Sequence, residues 1–328
     1  VEQEMKINFI PTNTKMSRGS YRIHVHDLNL YFNDIGVESN INGDGDVYIY
    51  GKATGISGKG KINGIITPNS DNVSLIKSVD FVIVGSVEEK ESIIPFNKNV
   101  FIFPQIERKY LSVKRKNHFK KEHTVIGYHG NPNHLNHMGL GLCKALERLN
   151  KEYNISLLVL CSKLASISDW TIGKPKIEID YIPWSLDTIS QNISNFDIGI
   201  VPNVCAFNIG NFNDQNLANG VYGTDIRIRF KNKSNIGRSL VLIQHGIPVV
   251  CDVTPSNMHL FANPDNGYAV LTEHGWYNAI KSLMSEDERN RISNNVFEEY
   301  KRLYNPQDWA RKLAISIKGV LNEKNNRD

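Results

Sequence analysis

Short, continuous apolar runs dominate the first third of the chain. They are "KINFIP" (6–11), "DVYIYG" (46–51), "GIITP" (64–68), "DFVIVGS" (80–86) and "NVFIFPQI" (99–106). Such runs suit parallel strands covered on both faces, where alternation with polar residues is not required. One stretch among them has helical spacing instead. After "SRGS", Tyr21, Val25, Leu28 and Phe32 fall on one face, which predicts a helix with Ser20 as N-cap and Gly36 as its stop.

Residues 107–122 are basic and mostly polar, and read as a connector. Beyond them strands and helices alternate more cleanly. "TVIGYHG" (124–130), "ISLLVLC" (155–161), "KIEIDYIP" (176–183), "FDIGIVP" (196–202) and "IPVVCD" (247–252) read as strands. "NPNHLNHMGLGLCKALERLN", with Pro132 suited to a first helical position, and "SNIGRSLVLIQHG", ending at Gly246, read as helices. The tail "NPQDWARKLAISIKGVLNEK" is amphipathic, with Trp309, Leu313, Ile317 and Val320 at helical spacing. This order predicts α/β architecture: two open, parallel-sheet domains of the Rossmann-like type, over 1–120 and 121–305, and a closing helix within 306–328. Ligands of such sheets bind outside the carboxyl ends of the strands, so a cleft between the domains is the expected site.

Composition narrows this modestly. A length of 328 residues suggests about two domains. No apolar run reaches the roughly 18–20 residues of a membrane span, and the first residues carry charge where a signal peptide would be apolar. Cys143, Cys161, Cys205 and Cys251 are scattered without a C-x-x-C pair, which fits buried thiols in a reducing cytoplasm. The net charge is only +4, but cations concentrate at 108–121 and 227–238.

The second cluster is the more telling. From Asp225 the residues alternate, with Ile226, Ile228 and Phe230 on one side and Arg227, Arg229, Lys231 and Lys233 on the other if the segment is extended. Ser234 and Asn235 then offer cap chemistry, and Ile236, Leu240 and Ile243 give the following helix a buried face. Gly237 costs about 1 kcal/mol relative to Ala within a helix, but leaves room for a ligand at the first turn. A helix N-terminus flanked by Lys233 and Arg238 is a ready anion site, and Arg238 can hold phosphate oxygens in a bidentate way. The alternative is an exposed charged edge that discourages strand pairing.

The ordered set of motifs in the second half resembles the nucleotide-binding domain of GT-B-fold glycosyltransferases, the group 1 or family 4 type. The pieces are "VIGYHGNPNHL", "YIPWSLDTISQNISNFDIGIVP", "FKNKSNIGRSLVLIQHGIPVVCD" and "NGYAVLTEHGWYNAIKSLMSEDERNRIS". In the first third "SRGSYRIHVHDLNLYFNDIGV" is similar to the glycine loop and first helix of the partner, acceptor-side domain. The resemblance implies two Rossmann-like domains facing across a cleft, a last helix that crosses back to the first domain, and transfer of a sugar from a nucleotide-sugar donor to a glycan, lipid-linked or other glycoconjugate acceptor. It implies a diphosphate at Lys233, Ser234, Asn235 and Arg238, a base near Ile182, Pro183 and Trp184, and a sugar directed at Gly130 and Asn131. Charge growing on the departing diphosphate would be met by fixed N–H dipoles and cations, without a required metal or other cofactor. Retaining members carry two glutamates with seven residues between them around this helix. Here those positions hold Lys233 and Val241, which leaves the ribose contact and the stereochemistry open. The connection 203–225 is longer than usual and is expected to form a loop over the cleft.

Other polar groups bear on the chemistry. An inverting transferase needs a base for the acceptor hydroxyl, and His24 or Asp27 of "HVHD" could serve; the alternative is ordinary polar residues of a helix surface. His134 and His137 lack matching carboxylate or Cys partners and are read as non-ligands, so no metal site is expected. His129 beside Gly130 could touch a substrate or pack in a loop. Trp184 could stack near a base or fill core, and Trp276 and Trp309 are expected to pack helices. Lys114, Arg115, Lys116, Lys120 and Lys121 suggest either a solvated connector or contact with anionic lipid at the inner face of the membrane; no nucleic-acid module is recognisable. The expectation is a cytoplasmic glycosyltransferase. The alternatives are a sugar-nucleotide epimerase of the same fold and a binding subunit without turnover.

Overall fold

The computed structural model describes residues 5–51, 56–68, 72–130, 135, 140–161, 174–203 and 235–326. The chain divides into two compact units, one of Val1–Arg108 with Tyr304–Asp328 and one of Lys109–Leu303. Among the described residues each unit holds one six-stranded sheet, and every strand pair is parallel.

In the first unit the order is β2-β1-β3-β4-β5-β6. The strands are β1 (Ile7–Pro11), β2 (Ser39–Ile41), β3 (Val47–Gly51), β4 (Ile62–Ile66), β5 (Phe81–Val84) and β6 (Val100–Ile102). β3, β4 and β5 are buried along their whole length, as continuous apolar runs require. One face packs on the helix between β1 and β2 and on the last helix. Ala310, Leu313, Ile317, Val320 and Leu321 of that last helix share a core with Ile7, Phe9, Leu28 and Phe32. Each large apolar side chain so buried contributes about 1.5–3 kcal/mol.

The helix between β1 and β2 is built in three parts: α1 (Gly19–Tyr21), a π-helical turn over Arg22–Asp27, and α2 (Leu28–Asp34). Its N-cap is Arg18, without a side-chain cap bond, and Ser20 lies inside it, contrary to the sequence expectation. Gly36, at φ +81°, ends it in the conformation glycine adopts most readily. The π turn keeps Val25 and Leu28 on the buried side while placing Arg22 and Asp27 there too.

The second unit has the order β12-β11-β10-β7-β8-β9. Its strands are β7 (Thr124–His129), β8 (Ile155–Cys161), β9 (Glu178–Pro183), β10 (Ile198–Val201), β11 (Val249–Asp252) and β12 (Tyr268–Val270). Counted from β7 this is 3-2-1-4-5-6, the doubly wound arrangement whose direction reverses between β7 and β10. The helices between α2 and β7 are α3 (Val73–Lys77) and α4 (Val87–Ile93). Those of the second unit, among the described residues, are α5 (Leu140–Leu149), α6 (Ile189–Ile193), α7 (Gly237–Gln244), α8 (Pro255–Phe261), α9 (Glu273–Ser282) and α10 (Glu286–Leu303), and α11 (Pro306–Asn325) returns to the first. Trp276 is buried in the core beneath α5 and α9, and Trp309 packs on the first unit's core.

The basic segment 107–122 is not a free connector. From Lys109 on it is fastened to the second unit. The amide of Lys116 donates to the His245 carbonyl, Arg115 donates to Ser293 and covers the Phe297 ring, and both backbone groups of His118 bond the side chain of Asn290. Lys116 and Lys121 both reach one carboxylate oxygen of Asp197, at 2.9 Å each. Burial alone would push the Asp197 carboxyl up; Lys121, the Val125 amide and Lys116 bring it below its ordinary value. Gly246, at φ +76°, lets the strap pass close: a Cβ there would stand 2.8 Å from the Lys116 amide nitrogen. Cys143, Cys161 and Cys251 are buried free thiols; Cys205 lies outside the described residues.

Candidate functional site

The reversal of strand order places the loops after β7 and β10 side by side, and that is where the second unit's polar groups converge. β7 ends in Tyr128 and His129, followed by Gly130 at φ +135°. β10 leads into Pro202 and Asn203. Between them stands Arg238, the second residue of α7. Its guanidinium donates to the Tyr128 hydroxyl at 3.3 Å and to the Pro202 carbonyl at 3.0 Å. Both acceptors are neutral, and among the described residues Arg238 makes no ion pair. Among the described residues its guanidinium is therefore held by neutral groups, with the Asp252 charge nearby but not bonded to it.

The turn that carries Arg238 is itself held. The Asn235 side chain accepts from the Gly237 amide at 3.0 Å, which satisfies one first-turn donor. The amides of Arg238 and Ser239 follow in that turn, where no intrahelical acceptor is in reach. His129 bonds the Arg238 carbonyl through Nε2 at 3.1 Å, so that nitrogen carries the proton. Burial lowers the His129 pKa to about 4, against the pull of that bond, and the ring is a neutral strut at pH 7. Burial likewise pushes the Tyr128 hydroxyl up to about 12, so it stays protonated. Gly130 is tightly packed, since a Cβ there would lie 3.1 Å from Cδ of Arg238 and 3.3 Å from the Tyr128 hydroxyl.

At the end of β11, Asp252 accepts from the Asn203 amide at 2.6 Å. Burial raises its pKa to about 6, opposed by that bond and by the nearby Arg238 charge. Thr254 caps α8, and Asn257 ties Ser239 of α7 to the Asp252 carbonyl. The sequence alone does not single out Tyr128, Asn203 or Asp252. The available signal was position alone: each lies at or just past the carboxyl end of an apolar run.

The other expected donor contacts are distributed. Lys233, Ser234 and Asn131 lie outside the described residues, as do His134, His137 and nearly all of the 203–225 loop. Ile182 belongs to β9, two strands removed from β7 and so roughly 10 Å from it. It lines a cavity on the face of the sheet rather than joining the Arg238 group. Trp184 is half-buried, its amide bonded to the Cys161 carbonyl. Val241, at the place of the missing second glutamate, is packed in the core.

In the first unit His24 lies in the π turn, and its Nδ1 is 3.1 Å from the Thr67 hydroxyl. Thr67 follows β4 and adopts φ +44°, a region that a β-branched residue rarely occupies. Pro68 comes next, which restricts Thr67 further. Asp27 is buried, with one oxygen 3.0 Å from Nδ1 of His26 and the other accepting from the Arg108 amide at 3.0 Å. Its carboxylate thus holds the end of the first unit together, whereas His24 is partly exposed. Among the described residues no cluster of three or more His, Cys, Asp or Glu side chains could hold a metal ion.

The two doubly wound parallel sheets define the class: the chain has the GT-B glycosyltransferase fold. Among solved structures it is similar to HepE of Anabaena in complex with UDP and glucose, at a TM-score of 0.61 and 10% identity, covering 96% of this chain and 100% of that one. It is similar to an O-GlcNAc transferase of Thermobaculum terrenum at 0.62 and 7%, covering 98% and 68%. A mutant of S. aureus TarM, solved with Fondaparinux, alpha-GlcNAc-glycerol and UDP, matches at 0.57 and 11%. That match covers 84% of this chain, which spans 55% of the TarM chain, about half its length. No protein-family model matches the sequence, and no curated protein matches it either.

Proposed function

We propose that this protein transfers a sugar from a nucleotide-sugar donor to a glycan or glycoconjugate acceptor, with the donor diphosphate seated at Arg238 and the first turn of α7. One observation carries the reading: an arginine held only by neutral acceptors among the described residues, at the switch point of a doubly wound sheet. A cation already paired with a carboxylate has little left for a ligand. This one keeps its charge for the oxygens of a departing diphosphate, where charge-assisted bonds are strongest. Solved structures of the same fold that hold UDP support the choice of ligand.

Lys233, Ser234 and Asn131 complete the seat in this reading. His24 is the base for the acceptor hydroxyl in this reading, which requires its ring to turn, since Nδ1 sits on Thr67 and Nε2 is buried; Asp27 serves the fold. Because the chain supplies its own positive charge, transfer proceeds without a divalent ion, and EDTA should leave turnover unchanged. Buried free thiols are in keeping with a cytoplasmic setting. Among the described residues no helix is long and apolar enough to cross a membrane.

The test compares nucleoside diphosphates with their nucleosides by calorimetry. Arg238→Ala or Lys233→Ala should weaken the diphosphates and spare the nucleosides; equal losses overturn the assignment. Turnover with a panel of nucleotide sugars should release diphosphate only when acceptor is present. Isomerised donor would instead identify an epimerase, and binding without turnover a non-catalytic subunit.

A further inference from the structure

The second unit contains a cavity of about 780 Å³ on the face of its sheet. The pairing register puts Asp180 opposite Leu158 and Ile182 opposite Leu160, and the cavity runs back from Ile182 to Val125 near the start of β7. Ile182 stands level with His129 but two strands away, and the rest of the lining lies toward the start of β7; Gly130 and Arg238 are not among the lining residues, so the cavity is separate from the diphosphate seat. Its volume is within the roughly 300–1,000 Å³ of small-molecule sites.

Its chemistry is selective. Two cations line it, Lys116 and Lys121, but both are bound to Asp197, and the exposed carboxylate of Asp180 adds a second negative charge. The charges balance, which favours neither a phosphate nor a cationic ligand. The polar groups left over are mixed. Asp180 can only accept, the remaining Lys121 protons can only be donated, and the carboxamides of Asn117 and Asn195 do both. None of those carboxamides, nor the Asp180 carboxylate, is hydrogen-bonded among the described residues. A ligand that meets such a set needs groups that donate and accept alike, which means hydroxyls. Leu158, Val125 and Ile182 supply apolar surface for a C–H face. Phe119 adds an aromatic ring that is 69% exposed. Its backbone is anchored all the same, since its carbonyl accepts from Arg289 and the neighbouring His118 is bonded on both sides by Asn290. A ring held outward on a fixed backbone is a preorganised platform.

We propose that this cavity is a carbohydrate site distinct from the donor seat, taking a neutral pyranose unit of an oligosaccharide. The site stands on its own lining; the transfer reading only makes the occupant a segment of the acceptor glycan.

Maltotriose, N,N′,N″-triacetylchitotriose and inorganic phosphate, each titrated into the full chain and followed by saturation-transfer NMR, test it. At least one neutral trisaccharide should bind saturably with a Kd of ~1 mM, undisturbed by phosphate. Phe119→Ala and Asp180→Ala should each weaken it by about 10-fold, with melting temperature and UDP affinity unchanged. Absence of saturable trisaccharide binding, or displacement by phosphate, overturns the site. So does loss on Arg238→Ala with Phe119→Ala and Asp180→Ala silent, which would put the sugar at the donor seat. Failure here with UDP binding intact leaves the transfer reading standing; loss of UDP binding alone removes that reading and not this one.

Discussion

The two units treat their arginines in opposite ways. In the first unit Arg22 is buried and gives both Nε and Nη2 to one oxygen of Glu107, and Arg108 pairs with Asp34. Those cations are spent on the protein's own acids. In the second unit Arg238 is fixed as firmly, but by a phenol and a carbonyl. Geometry alone would rank these arginines alike. What separates a structural cation from a ligand-ready one is the charge of whatever holds it.

The largest effect should come from breaking the neutralised kind. Arg22→Ala removes the ion pair to the largely buried Glu107 side chain and should cost the first unit about 3–5 kcal/mol in urea unfolding. Nucleoside diphosphate affinity should stay unchanged wherever the variant is folded; a loss of affinity without loss of stability would erase the contrast. Arg238→Ala should do the reverse, lowering diphosphate affinity by ~10²-fold, about 3 kcal/mol, at little cost in stability. Arg238→Lys should recover part of this, since an ammonium cannot grip two oxygens in a fork. Gly130→Ala should follow. It sets an L-residue at φ +135° and presses on Arg238, so about 1–2 kcal/mol of strain and a measurable fall in diphosphate affinity are expected.

The smallest effect is in the pH dependence of stability. His129 has its pKa lowered from 6.5 to about 4. Over that window the unfolded chain binds more protons, so stability falls as pH drops. Asp252 is raised from 3.8 to about 6, and there the folded chain binds more protons, so its contribution grows as pH drops. The two slopes oppose each other. Asp252→Asn should remove one of them and make acid destabilisation between pH 6 and 4 steeper, by about 1 kcal/mol overall, read from urea midpoints at several pH values. An unchanged slope would show that Asp252 is not held protonated by its surroundings.

Much of the fold was legible because burial on both faces forces continuous apolar runs. "ISLLVLC" is β8 residue for residue, and "KINFIP" and "DVYIYG" differ from β1 and β3 by one residue. "GIITP" was read too late, because β4 begins at Ile62 and contains Gly64 in its interior. That glycine looks like a start signal in sequence, yet it is needed because a Cβ there would meet the Phe81 ring at 2.2 Å. β2 escaped notice because Ser39–Ile41 holds a single apolar residue, and β12 because its apolar run ends at Leu271, whereas β6, equally short, sits in the longer run "NVFIFPQI". Ser20 is no cap because the helix already begins at Gly19, which puts Ser20 inside its first turn. In the site, Gly130 and Arg238 announced themselves by residue type and position. Tyr128 and Asp252 did not, since their meaning depends on partners far along the chain: 110 residues separate Tyr128 from Arg238.

The last helix has an implication for biosynthesis. α11 covers Ile7, Phe9 and Phe32, and all of Lys109–Leu303 is translated between those residues and the helix. The second unit can therefore close its core on the ribosome while the first still waits for its lid. A chain stopped at Leu303 should keep a native second unit beside an unfolded first one.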